Sequence, residues 1–225
     1  MSTPKTICII PARGGSKRLP RKNMRTLLNL PLLAYSINYA KQNSEIINHI
    51  VVTTDDDEIK QYALQQGVHV IDRPKHLADD LSTTVSALKH VLQSNDQFYD
   101  TVVLLQPTNP LRPKTLLEHA YHQFVEQDCD SLMTVSGNQH KLGKIIDDKF
   151  VPYNYKMGQR SQDLEPLYFE NGLLYITKAS LIMDGTILGD NHVPFIVDHP
   201  YAQIDIDTEA DFKYAEFILK EYPYE

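Results

Sequence analysis

The chain has 225 residues, of which 42% are hydrophobic, and a formal net charge of -7 at pH 7. This length and composition are sufficient for one α/β domain with a full core, and they exclude a disordered chain. The acidic balance argues against a nucleic-acid-binding protein, which would present a wide basic surface. Because no apolar run reaches ~18 residues and the N-terminus has no signal-peptide pattern, we expect a cytoplasmic protein without a membrane partner.

Apolar runs alternate with segments of helical period through residue 135. This alternation predicts a mostly parallel sheet covered by helices, in a single domain spanning residues 1–225. The predicted strands are residues 7–10, 49–53, 68–71, 101–105, 131–135, 168–176 and 204–208. The predicted helices are residues 31–41, 55–66, 85–92 and 209–221.

The first predicted strand leads into a basic loop that contains glycine. Residues 13–25 include six Lys or Arg residues and no acidic residue. Gly14 and Gly15 let backbone N–H groups approach anionic oxygens, which the cations then neutralise. A solvated loop or a nucleic-acid patch is the alternative, but the position of the run after a buried strand favours a polyphosphate site. The loop matches neither the Walker A pattern nor G-x-G-x-x-G.

Polar residues also follow later predicted strands. Gln106, Thr108 and Arg112 come soon after the central strand, and helix-start signals do not explain the three together. Thr83 precedes a predicted helix, and a capping role alone explains it well, so a ligand role needs support beyond the pattern. Since ligands bind at the carboxyl edge of such sheets, these positions are compatible with a site there.

The stretch from Ile204 to Thr208 alternates apolar residues with acids. As a strand it would place Asp205 and Asp207 side by side on one face. A cation between them would relieve their repulsion, and Mg²⁺ is commonly held by one or two carboxylates plus substrate phosphates. The alternative is a solvated edge strand in which Asp207 or Thr208 caps the next helix. The pattern alone leaves both interpretations open.

Residues 137–168 form a long polar segment with no clear helix. Inside a compact domain, such a segment is an active-site lid or an arm that packs on another subunit. The alternation within residues 150–155 favours an arm that pairs as a strand.

Five motifs, in order over nearly the whole chain, resemble those of the CMP-sialic acid synthetase (N-acylneuraminate cytidylyltransferase) family. The opening I-P-A-R-x-G-S-K and the following K-N are matched from Ile10 to Lys17 and at Lys22-Asn23. The others are R-P-x-x-L-A-x-D at residues 73–80, L-Q-P-T-x-P-L-R at 105–112, N-G-x-x-Y at 171–175 and D-I-D-T at 205–208.

The resemblance implies a Rossmann-like nucleotidyltransferase fold with a mostly parallel mixed sheet, helices on both faces, a dimerisation arm within residues 137–168 and a homodimer. It implies that CTP and a nonulosonic, sialic-acid-like sugar give a CMP-sugar and pyrophosphate. The implied cofactor is Mg²⁺, held by Asp205 and Asp207. The implied nucleotide-binding residues are Ala12, Arg13, Gly14, Gly15, Ser16, Lys17, Lys22, Asn23, Arg73 and Thr83. The implied catalytic residues are Arg13, Lys17, Lys22 and Asp207, and the implied sugar-binding residues are Gln106, Thr108, Arg112, Arg160 and Tyr175.

Some features depart from the family pattern. Arg18-Leu19-Pro20 before Lys22 is similar to the CMP-Kdo synthetases and to other sugar nucleotidyltransferases, which are the alternative. Lys22-Asn23 and Gln106-Pro107-Thr108 favour the sialic-acid branch, although Asn109 stands where that family often has Ser. A non-catalytic nucleotide- or sugar-binding protein is a further alternative, but the complete set of loop cations and aspartates favours an enzyme.

Overall fold

The computed structural model describes residues 5–223, in which no helix is both long and apolar enough to cross a membrane. Its strands are β1 (Thr6–Pro11), β2 (Thr26–Leu27), β3 (Leu30–Pro31), β4 (His49–Thr54), β5 (His69–Asp72), β6 (Thr101–Leu104), β7 (Ser131–Asn138), β8 (Gly143–Ile146), β9 (Lys149–Pro152), β10 (Leu167–Lys178) and β11 (His192–Ile196). Its α-helices are α1 (Leu32–Gln42), α2 (Asp57–Gln65), α3 (Thr84–Gln93), α4 (Leu116–Glu126), α5 (Ala179–Asp184) and α6 (Glu209–Glu221). Short 3₁₀ turns occur at Lys22–Met24, Lys75–Leu77, Ser161–Asp163 and Pro200–Gln203.

Seven strands form one sheet in the order β11-β7-β10-β6-β1-β4-β5. β1 pairs in parallel with β4 and β6, β4 pairs in parallel with β5, and β11 pairs in parallel with β7. β10 is antiparallel to both of its neighbours, β6 and β7. The sheet is therefore mixed and mostly parallel, which confirms the predicted α/β class.

Helices cover both faces of this sheet, and β1 shows why its sequence is apolar throughout. Cys8 and Ile10 pack into a core with residues of α1, α2 and α4. Ile7 and Ile9 pack into a separate core with residues of α3 and α5. A strand buried on both faces has no solvent side, so its sequence does not alternate.

The predicted helices are confirmed as α1, α2, α3 and α6, and the predicted strands within residues 7–176 as β1, β4, β5, β6, β7 and β10. The predicted strand at residues 204–208 is wrong, because this stretch joins a 3₁₀ turn to α6 without pairing in a sheet. Its alternation has another cause. Ile204 and Ile206 are buried under α6 and the turn after β6, while Asp205 stays exposed.

The N-terminus of α6 shows which residue of this stretch caps the helix, Asp207 or Thr208. Thr208 accepts a hydrogen bond from the Asp211 N–H at 3.3 Å, and the Asp211 carboxylate accepts from the Thr208 N–H at 2.7 Å. This reciprocal arrangement is a capping box. The cap is therefore Thr208, which leaves the side chain of Asp207 available to the cleft described below.

Residues 137–138 and 167–168 still pair in the main sheet, as the ends of β7 and β10. The residues between them, 139–166, leave the main sheet and contain an exposed hairpin; we call this segment the arm. Its strands β8 and β9 pair with each other in a separate two-stranded sheet. Large apolar side chains of the arm are exposed, with Ile145 at 71%, Phe150 at 52% and Tyr153 at 66% of their full accessibility. The alternation predicted within residues 150–155 thus corresponds only in part to a strand, since β9 ends at Pro152.

Candidate active site

A cleft of about 510 Å³ opens where β1, β5 and β6 end. It is lined by the loop after β1, the segment after β5, the turn after β6 and Asp207. Loops from neighbouring parallel strands converge at this edge of an open α/β sheet, which is where ligands bind. The cleft brings together these predicted site residues: Arg13, Ser16, Lys17, Lys22, Asn23, Arg73, Thr83, Gln106, Thr108 and Asp207.

Backbone and side-chain hydrogen bonds hold both ends of the basic loop. The N–H of Ala12 donates to the carbonyl oxygen of Thr53 at 3.0 Å, which continues the pairing of β1 with β4. Further along, Asn23 Nδ2 donates to the carbonyl oxygen of Arg13 at 2.9 Å. Asn23 is buried, so this bond satisfies a polar group that is hidden from water. The structure thus gives Asn23 a role in shaping the loop.

Gly14 packs tightly against the N-terminus of α2. A Cβ built on Gly14 would lie 2.6 Å from Asp56 Oδ2 and 2.8 Å from Asp56 Cβ. No side chain can be placed that close, so glycine is required for this approach. The N–H of Gly14 donates to Asp55 Oδ1 at 3.0 Å. A carboxylate therefore accepts from the amide that was predicted to face a phosphate.

Asp80 pairs with two cations of the basic loop. Its Oδ1 lies 3.2 Å from Arg13 Nη1, and its Oδ2 accepts from Lys17 Nζ. These contacts, the hydrogen bond from Lys17 first among them, hold the pKa of Asp80 below its usual value. The Lys17 side chain is 80% exposed and that of Asp80 is 46% exposed. The pairs are therefore solvated and readily exchanged.

Asp207 pairs with two other cations of the loop. Lys22 Nζ donates to Asp207 Oδ1 and to the carbonyl oxygen of Ile206, at 2.9 Å each. Arg18 Nη2 donates to Asp207 Oδ2 at 2.5 Å. Only 12% of the Lys22 side chain is exposed, so its contact with Asp207 is largely shielded from water. Asp207 links the C-terminal segment to the basic loop.

Arg73 forms the floor of the cleft beneath the basic loop. It is buried, and its Nη2 donates to the carbonyl oxygen of Thr53 at 2.7 Å. Burial lowers the pKa of Arg73 to about 10; Asp55 opposes this shift and the charge of Arg13 adds to it. The guanidinium therefore remains charged at neutral pH. Thr83 lines the same part of the cleft and also caps α3 by accepting from the Ser86 N–H at 3.3 Å.

Asp205 lies beside the cleft rather than on its wall. The neighbouring Thr108 lines the cleft, and its Oγ1 donates to Asn109 Oδ1 at 3.0 Å. Partial desolvation by the surrounding protein raises the pKa of the Asp205 carboxyl group, and the negative charge of Asp207 raises it further. A bound cation would relieve both effects. Within residues 5–223 no group of three His, Cys, Asp or Glu side chains can hold a metal, so a cation here would need oxygens from a substrate to complete its shell.

The turn after β6 is fixed by Asn109. This residue is buried, and its Nδ2 donates to the carbonyl oxygens of Asn171 at 3.0 Å and Ile204 at 2.9 Å. In the same turn, the carbonyl oxygen of Thr108 accepts a hydrogen bond from the N–H of Ile206 at 2.8 Å. One buried amide therefore ties the turn to β10 and to the segment that carries both aspartates.

Arg112 lies beneath this turn and does not line the cleft. It is fully buried, and its guanidinium donates to the carbonyl oxygens of Leu173 at 2.6 Å and Gln106 at 2.9 Å and to Ser36 Oγ at 3.1 Å. These contacts place Arg112 as a brace that orients the backbone of Gln106. The sequence placed it among the sugar-binding residues, but the structure does not bring its side chain to the cleft surface.

Two further predicted sugar-binding residues lie away from the cleft wall. Tyr175 is buried and donates to the carboxylate of Glu170, and burial, with the hydrogen bond to Glu170 next, raises its pKa. Arg160 lies at the surface of the arm and makes two hydrogen bonds to Asp163, at 2.8 and 3.0 Å. Neither residue lines the cleft of its own chain.

The cleft also contains polar residues outside the predicted site: Arg18, Asp79, Asp80, Ser82 and Thr84. Arg18 is one of the six cations of the basic loop, and Arg18-Leu19-Pro20 resembles the CMP-Kdo synthetases. Asp80 ends the motif R-P-x-x-L-A-x-D, which is a signal that could have identified it. The pairing of these residues across the cleft depends on distances that a linear pattern does not give.

Comparison with known proteins places the chain among cytidylyltransferases. Residues 7–221 match the family model described as Cytidylyltransferase. The chain is 35% identical over 231 aligned positions to a pseudaminic acid cytidylyltransferase of Campylobacter jejuni, covering 96% of this chain and 97% of that protein. It is 33% identical over 232 positions to the CMP-N,N'-diacetyllegionaminic acid synthase of Legionella pneumophila, with coverage of 96% and 97%. An N-acylneuraminate cytidylyltransferase of Escherichia coli is 33% identical over 219 positions, covering 94% of this chain and 51% of that protein.

A solved structure of CMP:2-keto-3-deoxy-manno-octonic acid synthetase complexed with CTP shares the fold. Its TM-score is 0.72 at 15% sequence identity, covering 96% of this chain and 99% of that chain. At that identity the likeness concerns the fold alone, which agrees with the mixed sheet described above.

Proposed function

The chain belongs to the cytidylyltransferase family, and we propose that it couples CTP to a nonulosonic acid, giving a CMP-sugar and pyrophosphate. The observation that carries the proposal is the meeting, in one cleft, of the basic loop with Asp207 and the Thr108 turn. The relatives named for pseudaminic, legionaminic and N-acylneuraminic acids support this sugar class. Attack of the anomeric hydroxyl oxygen on the α-phosphorus would break the bond to pyrophosphate.

The basic loop would bind the triphosphate. Arg13, Lys17 and Lys22 face the cleft. The N–H of Gly15 would add a donor to the phosphate oxygens, whereas the N–H of Gly14 would first have to leave the Asp55 carboxylate. Such a site acts mainly by positioning the phosphates and stabilising their charge as the bond to pyrophosphate breaks. In this proposal Ala12, Ser16, Asn23, Arg73 and Thr83 form the remainder of the nucleotide site.

Asp205 and Asp207 would hold Mg²⁺. Two carboxylates with no third protein ligand suit an ion that completes its shell with phosphate oxygens and water. When bound, the ion would neutralise phosphate charge and lower the pKa of the attacking hydroxyl group. Thr108 lies beside the Asp205 carboxylate, and Lys22 would keep the Asp207 carboxylate oriented through its hydrogen bond.

Gln106 and Thr108 would face the sugar, since they line the cleft beside Asp207. Arg112 would act through the Gln106 backbone that it holds. Tyr175 would shape the sugar side through its contact with Glu170. Arg160 lies on the arm, outside its own cleft, so a contact between Arg160 and the sugar carboxylate would join the arm of one protomer to the cleft of another.

The arm would form a homodimer interface. Its exposed Ile145, Phe150 and Tyr153 are large apolar side chains on a projecting hairpin. Clustered exposed apolar surface of this kind is typical of protein interfaces.

The test is pyrophosphate release from CTP with a panel of pseudaminic, legionaminic, N-acetylneuraminic and Kdo acids, with mass spectrometry of the CMP-products. We expect product from at least one nine-carbon acid, and loss of turnover when a chelator removes Mg²⁺. Turnover with Kdo alone would favour the CMP-Kdo alternative. No turnover with any acid would contradict the proposed function.

A further inference from the structure

Asp80 contacts two cations of the basic loop in the manner of an anionic ligand. Its two carboxylate oxygens contact different cations, Arg13 and Lys17. The proposed function assigns both of these cations to the triphosphate. An anion that uses both would therefore have to displace the Asp80 carboxylate first.

The turn that carries Asp80 is ordered by its own hydrogen bonds. Asp79 Oδ1 accepts from the N–H groups of Leu81 at 3.0 Å and Ser82 at 2.7 Å. Arg13 Nη1 donates to the carbonyl oxygen of Asp79 at 2.7 Å. The backbone is thereby held against the loop independently of the Asp80 side chain. Rotation of that side chain would free Lys17 and remove the carboxylate from Arg13 without moving the turn, because Arg13 Nη1 keeps its bond to the Asp79 carbonyl oxygen.

Asp80 differs in this respect from the other acids that pair with loop cations. Asp207 also contacts two cations, but it lies in the proposed metal site. Glu58 pairs with Arg21 and Glu209 pairs with Arg25, and none of these four residues lines the cleft. Asp80 therefore lies in the cleft but has no role in the proposed metal site.

We propose that Asp80 is an internal competitor of the polyphosphate, which sets the affinity for CTP and hastens the release of pyrophosphate. The inference rests on the proposed function. A bound polyphosphate would repel the Asp80 carboxylate, whose side chain is 46% exposed and can turn into solvent. When pyrophosphate begins to leave, the carboxylate returns to Arg13 and Lys17 and prevents rebinding. Asp80 is thus a positioning residue that acts through the two cations.

The test is calorimetric titration of the full chain with inorganic pyrophosphate, with and without Mg²⁺. Asp80→Asn should bind pyrophosphate about fivefold more tightly than the wild type, because two solvated ion pairs no longer compete. Asp80→Glu restores the charge and should return the affinity toward that of the wild type. Glu58→Gln removes the same charge from a pair outside the cleft, and should leave the affinity unchanged.

Tightening cannot result from damage to the loop, since a disordered loop would bind pyrophosphate less well. Equal or weaker binding by Asp80→Asn, at an unchanged melting temperature, would overturn the inference. Equal tightening by Glu58→Gln would also overturn it, because the effect would then follow net charge alone. The titration needs no turnover, so failure of the sugar panel would reject the proposed function without deciding the role of Asp80. In active enzyme, Asp80→Asn should also show a lower inhibition constant for pyrophosphate and a lower KM for CTP.

Discussion

Gly14 shows how the lack of a side chain at one position allows the basic loop to pack closely against α2. The loop needs a close approach to Asp56, whose side chain also caps α2 by accepting from the Ile59 N–H at 3.0 Å. A side chain at Gly14 would collide with that cap. The loop geometry and the start of α2 are therefore coupled through one residue without a Cβ.

We predict that Gly14→Ala lowers the free energy of unfolding by about 1–3 kcal/mol, because the added methyl group must displace the Asp56 side chain or the loop. Urea unfolding measures this change. Gly15→Ala is the matched control for stability, since a Cβ there meets nothing within 4 Å. An equal loss of stability in both variants would show that contact with Asp56 is not the cause.

Asp207 is the second position at which one side chain is decisive. Asp207→Asn should lower kcat/KM for CMP-sugar formation by at least about 100-fold, because it removes a proposed metal ligand and the partner of Lys22 and Arg18. Glu209→Gln is the control, since Glu209 pairs with Arg25 outside the cleft. Steady-state kinetics at saturating Mg²⁺ measure the effect. Near-normal activity of Asp207→Asn would remove Asp207 from the proposed metal site.

At the level of elements, the strands β4 and β5 meet through a pair of histidines at their amino ends. The rings of His49 and His69 have centroids 4.3 Å apart, and His49 Nδ1 also contacts the hydroxyl group of Tyr99. Burial, and then the proximity of His69, lowers the pKa of His49 below its ordinary value of 6.5. The folded protein therefore favours neutral His49.

This shift predicts a pH dependence of stability. The unfolded chain binds a proton on His49 more readily than the folded chain, so stability is lost as pH falls below about 6.5. We expect the free energy of unfolding, measured in urea between pH 7.5 and 5.5, to fall more steeply in the wild type than in His49→Gln. Part of the slope should remain, because burial also lowers the pKa values of His90 and His199. Identical slopes would contradict a role for His49.

Prediction from sequence succeeded for elements whose burial is uniform. β1 and β6 are buried on both faces, and their apolar runs marked them directly. It failed at residues 204–208, where burial also alternates although the backbone pairs with no strand. A period of two reports which side chains are buried, not what the backbone bonds to. The antiparallel insertion of β10 between β6 and β7 likewise depends on pairing between distant segments.

The candidate site was predictable as a set of motifs and less so as a set of contacts. The carboxyl ends of adjacent strands bring the basic loop, Arg73 and Gln106 to one cleft, as parallel strands require. The direction of a side chain is a different matter. Arg112 follows the same turn, yet its guanidinium is buried against backbone carbonyl groups. The pairing of Asp80 with Arg13 similarly depends on tertiary distances.

At the scale of the whole molecule, the arm exposes large apolar side chains that its own chain does not cover. Its side chains Ile145, Phe150 and Tyr153 are more than half exposed, although their hairpin is regular and joins directly to the extended pair β7 and β10. Apolar side chains on a regular projecting hairpin gain stability only when another surface covers them. The main domain of the same chain leaves them exposed.

We therefore predict that the protein sediments as a dimer at micromolar concentration and that Ile145→Asp combined with Phe150→Asp converts it to a monomer. Two carboxylates in an apolar interface would each lose solvation without gaining a partner. Val125→Asp combined with Leu64→Asp is the control, since these exposed apolar residues lie on α4 and α2, away from the arm. The control should remain dimeric. Sedimentation of the wild type as a monomer, or of the arm variant as a dimer, would contradict the interface. Turnover by a monomeric arm variant would show that the reaction does not need Arg160 of a second protomer.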